Sequence, residues 1–212
     1  MNKRRSFLKN TSILGLTPFL PNFNFLDITN KKIKTVHIGV GGMGKADLND
    51  IASHKNVEVY ALCDVDNKAL IEAGKLFPNA KLFKDYRKML ESINENIDAV
   101  IVSTPDHTHA PASIMAMEYN KHVYCQKPLT HHVSEARKMK KLAEEKNLIT
   151  QMGIQVHSFY DYKLATLLIK SGIIGRVSEV RAWCPKNWGY DGPEPTGSDS
   201  IPENLDWNLW LG

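Results

Sequence analysis

The run Gly39-Val40-Gly41-Gly42-Met43-Gly44 is the densest concentration of chemically suggestive residues in this 212-residue chain. It follows an apolar, β-branched run and opens a helical segment, the context in which such glycines carry phosphate groups. Gly39 permits the tight turn, Gly41 lets the backbone approach a pyrophosphate, and Gly44 lets helix and strand pack closely. The helix N-terminus, at Gly42 and Met43, offers free N–H groups and a positive dipole end to an anion. An ordinary strand–helix turn is the competing reading. Asp64 ends the next apolar run, 20 positions after Gly44. An acidic residue there accepts hydrogen bonds from the adenosine ribose hydroxyls of a dinucleotide. Its charge repels a 2′-phosphate, and Val65 and Asp66 follow with no arginine, so the pattern favours NAD over NADP. The competing role for Asp64 is a helix N-cap, for which Asp66, followed by Lys68, Ala69 and Leu70, is better placed.

Two more segments stand at the ends of apolar runs. Ser103-Thr104-Pro105-Asp106-His107-Thr108-His109 follows Val102, and ligands of open α/β sheets bind along that carboxyl edge. Asp106 or Thr108 serves equally as a cap for the next helix. Tyr124-Cys125-Gln126-Lys127-Pro128 presents a lysine whose cationic head suits a developing alkoxide. A solvated lysine on a loop is the plain alternative. His107 with His109, and His131 with His132, lack the accompanying carboxylates or cysteines of a metal site, so no metal is expected.

The elements that must position these residues alternate. Strands are expected at Ile33–Val40, Val57–Cys63, Ile97–Val102, His122–Cys125 and Ile149–Met152. Helices are expected at Ala110–Tyr119 and along Val133, Ala136, Met139 and Ala143, whose spacing is helical. This order implies an α/β fold with a doubly wound parallel sheet over residues 33–152. From residue 153 to 212 the start of a second α/β domain with a mostly antiparallel sheet is expected. It comprises a helix over Tyr160–Ser171, a strand over Val177–Cys184 and a long Gly/Pro-rich loop from Pro185 to Pro202. Trp183, Trp188 and Tyr190 form either a sugar-stacking wall or ordinary core packing.

Residues 1–30 read as a leader. Lys3-Arg4-Arg5-Ser6-Phe7-Leu8-Lys9 precedes a short apolar stretch, which resembles a twin-arginine export signal and implies a periplasmic destination. A disordered basic leader on a cytoplasmic protein is the alternative. The stretch is too short and proline-broken to span a bilayer. The net charge of +4 falls to about +1 without the leader's four basic residues and Asp27, which argues against nucleic acid as a partner. Cys63 and Cys125 end strand-like runs and read as buried thiols.

Taken together, GVGGMG, Asp64, the STPDHTHA segment, the QKP triplet and Gln151-x-Gly153-x-Gln155 resemble the Gfo/Idh/MocA oxidoreductases. The leader and the closing Leu205-Asp206-Trp207-Asn208-Leu209-Trp210-Leu211-Gly212 resemble that family's secreted bacterial branch. The resemblance implies that Thr104, Pro105 and Asp106 line the cofactor, with His109 at the start of the next helix. It implies that Lys127 sits beside the nicotinamide, in a motif that has glutamate where Gln126 stands here. Gln126 still offers a hydrogen bond to a ribose hydroxyl but brings no negative charge. A catalytic Asp and His of the second domain are expected beyond Gly212, so the chain reads as a truncated piece of a protein that forms homo-oligomers. The implied activity is hydride transfer between NAD and a secondary alcohol of a sugar, cyclitol or glycoside. The alternatives are an NAD-dependent glycosidase working by transient oxidation and elimination, and a dinucleotide-binding fragment without activity.

Overall fold

A computed structural model describes residues 32–185, 189–194 and 196–212. The leader and Trp188 lie outside the described residues. Six strands form one sheet: β1 (Ile33–Ile38), β2 (Val57–Cys63), β3 (Lys81–Phe83), β4 (Ala99–Val102), β5 (His122–Gln126) and β6 (Thr150–Gly153). Their order is β3-β2-β1-β4-β5-β6 and every pairing is parallel. Helices α1 (Gly42–Ala52), α2 (Asn67–Leu76), α3 (Tyr86–Ile93), α4 (Asp106–Glu118) and α5 (Val133–Glu145) connect them.

The middle of the sheet is buried on both faces, so the inner strands β1 and β4 read as near-continuous apolar runs. Val36, Ile38, Val100, Val102 and Cys125 face Met89, Ala116, Met117 and Met139 of α3, α4 and α5 on one side. Leu62 packs with Leu48 of α1 and Leu70 and Ala73 of α2 on the other. Cys63 and Cys125 are buried free thiols. Burial pushes the Cys63 thiol well up, and the Cys125 thiol to about 11.

His37, in the middle of β1, is a fully buried polar residue, beside the buried Thr35. Its Nε2 lies 3.2 Å from Thr35 Oγ1, and its Nδ1 has no partner among the described residues. Burial lowers its pKa from 6.5 to about 3. The folded protein therefore refuses a proton that the unfolded chain takes up below its own higher pKa. This contribution to stability is complete above pH 6.5 and is lost as pH falls towards 3. The stability of His37→Leu is expected to fall less steeply than wild type through that window. Equal slopes in urea titrations of the two proteins would disprove it.

The observed elements differ from the expected ones in instructive places. β1 stops at Ile38 and β4 starts at Ala99. Strand β3 and helix α3 are additions to the expected order. β3 has three residues and an exposed-to-partly-exposed pattern, so it carries no periodic signal. It exists because it pairs with Ala61, Leu62 and Cys63. Helix α4 starts at Asp106 rather than Ala110, with Pro111 in its second turn. The expected strand Val177–Cys184 is not formed: these residues are exposed and carry no strand pairing. Alternating side chains do not make a strand where no neighbouring strand accepts its amides. After β6 come α6 (Gln155–Ser158) and α7 (Tyr160–Lys170), neither of which buries a residue. A last helix, α8 (Trp207–Leu211), ends the chain. Among the described residues no helix is long and apolar enough to cross a membrane.

Candidate functional site

The strand order reverses direction between β1 and β4, and loops diverge there to leave a crevice at the carboxyl edge. Two backbone segments meet in it. Ser103 N donates to the Ile38 carbonyl at 2.8 Å, and Gly39 N donates to the Cys63 carbonyl at 2.8 Å. Gly39 has φ +82, and a Cβ on it would stand 2.6 Å from the Ser103 carbonyl oxygen. Only glycine meets both conditions.

Helix α1 begins at Gly42 after Gly41, with no side-chain cap. Its first-turn amides are therefore available to a ligand, in line with the helix dipole. Gly41 lies where a Cβ would be 3.4 Å from Ala69 Cβ and 4.0 Å from Asp64 Oδ2, so a longer side chain would fill the space between that carboxylate and the helix end.

Asp64 has a structural task as well as a position. Its Oδ2 accepts from Val40 N and its Oδ1 from Asp66 N, both at 2.8 Å. The carboxylate thus ties the end of β2 to the glycine turn, and each oxygen keeps a lone pair for a hydroxyl donor. It does not cap α2. That role belongs to Asp66, whose Oδ1 accepts from Lys68 N and Ala69 N. A hydrogen bond from Asn204 is the largest cause holding the Asp66 carboxyl below its ordinary pKa.

Gly39, Gly41, Met43, Asp64, Thr104 and Pro105 line one cleft of about 380 Å³. That volume lies in the range of small-molecule sites. The buried Thr104 Oγ1 in its wall has no partner among the described residues. Gly42, at φ +48 with nothing within 4 Å of a Cβ, stands at the open start of α1. Gly44 is packed beneath the cleft against Gly39 and Ser103.

The remaining expected site residues are placed differently. Asp106 is the exposed first residue of α4 and Thr108 Oγ1 donates to the Pro105 carbonyl, so neither caps the helix. His109 is buried below the cleft. Its Nδ1 lies 2.6 Å from the Pro128 carbonyl and its Nε2 2.8 Å from the Thr104 carbonyl, linking the loops after β4 and β5. Gln126 is buried at the end of β5, and Lys127 is exposed just beyond it. Trp183 and Tyr190 are exposed and belong to no core cluster.

The chain's last segment, 204–212, is an unexpected part of this site. Asn67 N donates to the Asn204 carbonyl at 2.8 Å and Asp206 N to the Val65 carbonyl at 3.0 Å. Leu209 and Trp210 of α8 thereby join the cleft lining. His107 contacts the Trp210 carbonyl at 2.6 Å and its ring at 4.8 Å, and Trp210 stacks on Trp207. Sequence reasoning also misses Asp47 of α1 and the bond it receives from Ser103. Asp47 is buried beside Gln126, one turn after Gly44. That spacing of three puts it on the packed face of the helix, and is the signal that could have found it.

The uncapped helix start, the glycine cradle and the Asp64 carboxylate with spare acceptor capacity fit a dinucleotide. Among the described residues no three His, Cys, Asp or Glu side chains cluster as metal ligands. Comparison with known proteins agrees with the dinucleotide. The chain is 30% identical over 164 residues to a glycosyl hydrolase family 109 protein of Shewanella woodyi, covering 72% of this chain and 35% of that protein. It is 26% identical over 144 residues to a myo-inositol 2-dehydrogenase of Thermotoga maritima, covering 68% and 42%. Scyllo-inositol dehydrogenase from Lactobacillus casei, solved with NAD(H) and scyllo-inositol, superposes with a TM-score of 0.63 at 26% identity, covering 68% and 43%. The chain therefore spans about two fifths of the length of these relatives. The profile of the oxidoreductase family with an NAD-binding Rossmann fold matches residues 33–154, more than half the chain. With that match and this site, the chain belongs to the Gfo/Idh/MocA oxidoreductase family and carries its NAD-binding Rossmann fold.

Proposed function

We propose that this chain is the cofactor-holding part of an oxidoreductase that moves hydride between NAD and a secondary alcohol of a sugar, cyclitol or glycoside. The observation that carries this reading is the convergence of Asp64, the uncapped start of α1 and Thr104–Pro105 on one crevice at the switch point of the sheet.

NAD, when bound, would supply the hydride acceptor, as cofactors supply the difficult chemistry and proteins the orientation. The amides of Gly41, Gly42, Met43 and Gly44 would hold its pyrophosphate, and Asp64 would accept from the adenosine ribose hydroxyls. Thr104 and Pro105 line its path, with Asp106 at the rim. His109 holds the Lys127-Pro128 loop against Thr104. Gln126 serves from its buried position by setting that loop. Lys127, exposed at the end of β5, stabilises the alkoxide or relays a proton at Nζ. Residues 153–212 belong to the start of a substrate domain, except that α8 returns to close the cleft. The arginine pair at Arg4-Arg5 supports export to the periplasm. The full-length protein forms a homo-oligomer, as the family resemblance implies.

The test is the full-length gene product incubated with NAD and a panel of inositols and sugars. NADH absorbance is expected to rise with one of them. Folded, NAD-binding protein that reduces no cofactor with any panel member would sink the dehydrogenase reading. The likeness to the family 109 protein favours a second reading, NAD-dependent glycosidase action. There NAD would take hydride from a sugar hydroxyl, the glycosidic substituent would leave by elimination, water would add across the resulting double bond, and the hydride would return to the ketone. Release of the aglycone without NADH accumulation selects it.

A further inference from the structure

Asp47 is a buried carboxylate, 9% exposed, for which hydride chemistry has no direct use. Three elements converge on it. Gln126 Nε2, at the end of β5, donates to Asp47 Oδ1 at 3.1 Å and to Oδ2 at 3.0 Å. Ser103 Oγ, just after β4, donates to Oδ2 at 2.6 Å. The other end of the same glutamine, Oε1, accepts from Lys127 N at 3.0 Å. The orientation of this amide is forced: only its nitrogen can face the carboxylate, and only its oxygen can face the lysine N–H. Room for the cluster comes from β6, where a Cβ on Gly153 would stand 2.7 Å from Tyr124 Oη and 2.9 Å from Gln126 Cδ.

We propose that Asp47 is a positioning residue for Lys127, acting through the Gln126 amide, and that the pair is a charge-and-amide unit whose negative charge must reside on one partner only. The proposal deepens the dehydrogenase reading, because Lys127 is the residue assigned there to the substrate proton. A glutamine is required at 126 while Asp47 carries the charge. A glutamate would bring two carboxylates to about 3 Å, where only one can ionise. The neighbourhood carries the mark of that charge. The Tyr124 hydroxyl has its pKa raised, first by burial and then by the Asp47 carboxylate. The other titratable groups around the pair are Asp50 on α1 and Lys127 itself. The elements after β4 and at β6 contribute the neutral Ser103 and Gly153.

Moving the charge tests the idea. Asp47→Asn, Gln126→Glu and the double variant are made in the 212-residue chain. Thermal unfolding and the NAD dissociation constant are read for each from neutral pH downwards. Gln126→Glu is expected to melt lower and to bind NAD about tenfold more weakly at pH 7. Both losses should fade below about pH 5, as one carboxylate takes a proton. The double variant exchanges the two groups. The amide nitrogen at position 47 then donates to the carboxylate at position 126, which still accepts from Lys127 N. The amide oxygen at position 47 still accepts from Ser103. The double variant is expected to return to within about threefold of wild-type affinity. A Gln126→Glu chain that is unfolded at pH 7, while the double variant folds and binds NAD, supports the proposal equally. Losses in the double variant that simply add, or a Gln126→Glu defect indifferent to pH, would overturn it. A wild-type chain that binds no NAD would refute the cofactor reading instead. The pair would then stand or fall on the unfolding midpoints and their pH profile alone.

Discussion

Gly44→Ala is expected to destabilise the protein by more than about 3 kcal/mol, the scale of severe overpacking. A Cβ at 44 would overlap the Gly39 carbonyl carbon and oxygen and lie 3.3 Å from Ser103 Cβ. The first two are backbone atoms of the tight turn, so no side chain can swing away to make room. Gly39 is itself pinned by its bond to the Cys63 carbonyl. Alanine's better helix propensity recovers only about 1 kcal/mol of this. The strain falls on the β1–α1 junction, so the variant should melt more than about 10 °C below wild type and lose NAD binding with it. Gly42→Ala is the matched control. Gly42 has φ +48 but nothing within 4 Å of a Cβ, so its cost is confined to the left-handed backbone, about 1–2 kcal/mol. Calorimetry of both variants decides between the two scales. A Gly44→Ala protein as stable as Gly42→Ala would show that the turn is not closed by that contact.

Asp64→Ala has the second large effect, and it acts twice. Removing the carboxylate orphans Val40 N and Asp66 N, each donating at 2.8 Å. Losing charged acceptors for partly buried amides costs about 1–3 kcal/mol. The glycine turn is then released from the end of β2. In addition, the acceptor for the adenosine ribose hydroxyls is gone. A loss of NAD affinity between about tenfold and a hundredfold follows, equivalent to about 1.4–2.8 kcal/mol. Asp64→Asn separates the two effects. It keeps one acceptor for the backbone and removes the charge, so the preference for NAD over NADP should shrink further than stability does. Calorimetric titration with both dinucleotides gives both numbers. Unchanged NAD affinity in a folded Asp64→Ala chain would refute the cofactor assignment.

Much of the parallel sheet was legible because its causes are local. The inner strands β1 and β4 and the second half of Val57–Cys63 are buried and read as apolar runs. The glycine turn is dictated by one positive φ and two close approaches involving Gly39 and Gly44. Asp66 caps α2 through amides two and three residues away. Strand β3 was not legible, since three residues exist as a strand only through their partner β2. Val177–Cys184 misled for the converse reason, showing strand alternation without a strand to pair with. Helix α4 begins early because Thr108 N and Thr108 Oγ1 both close on the Pro105 carbonyl, a turn that no periodicity announces.

The chain's own sequence determined the family, the glycine turn with Asp64, and the parallel order of alternating elements, all set by short-range sterics and apolar periodicity. Only the tertiary structure decided that Asp47 meets Gln126 across 79 positions and that Asn204 meets Asp66 across 138. It alone brought Trp210 to the cleft and made His109, expected only at the start of the next helix, a clasp between two loops. The physical reason is plainest for Asp47, Gln126 and His109: a buried polar group is stable only with its partner in place, and that partner lies on an element brought near by the spatial strand order of the sheet, which the spacing along the chain does not encode.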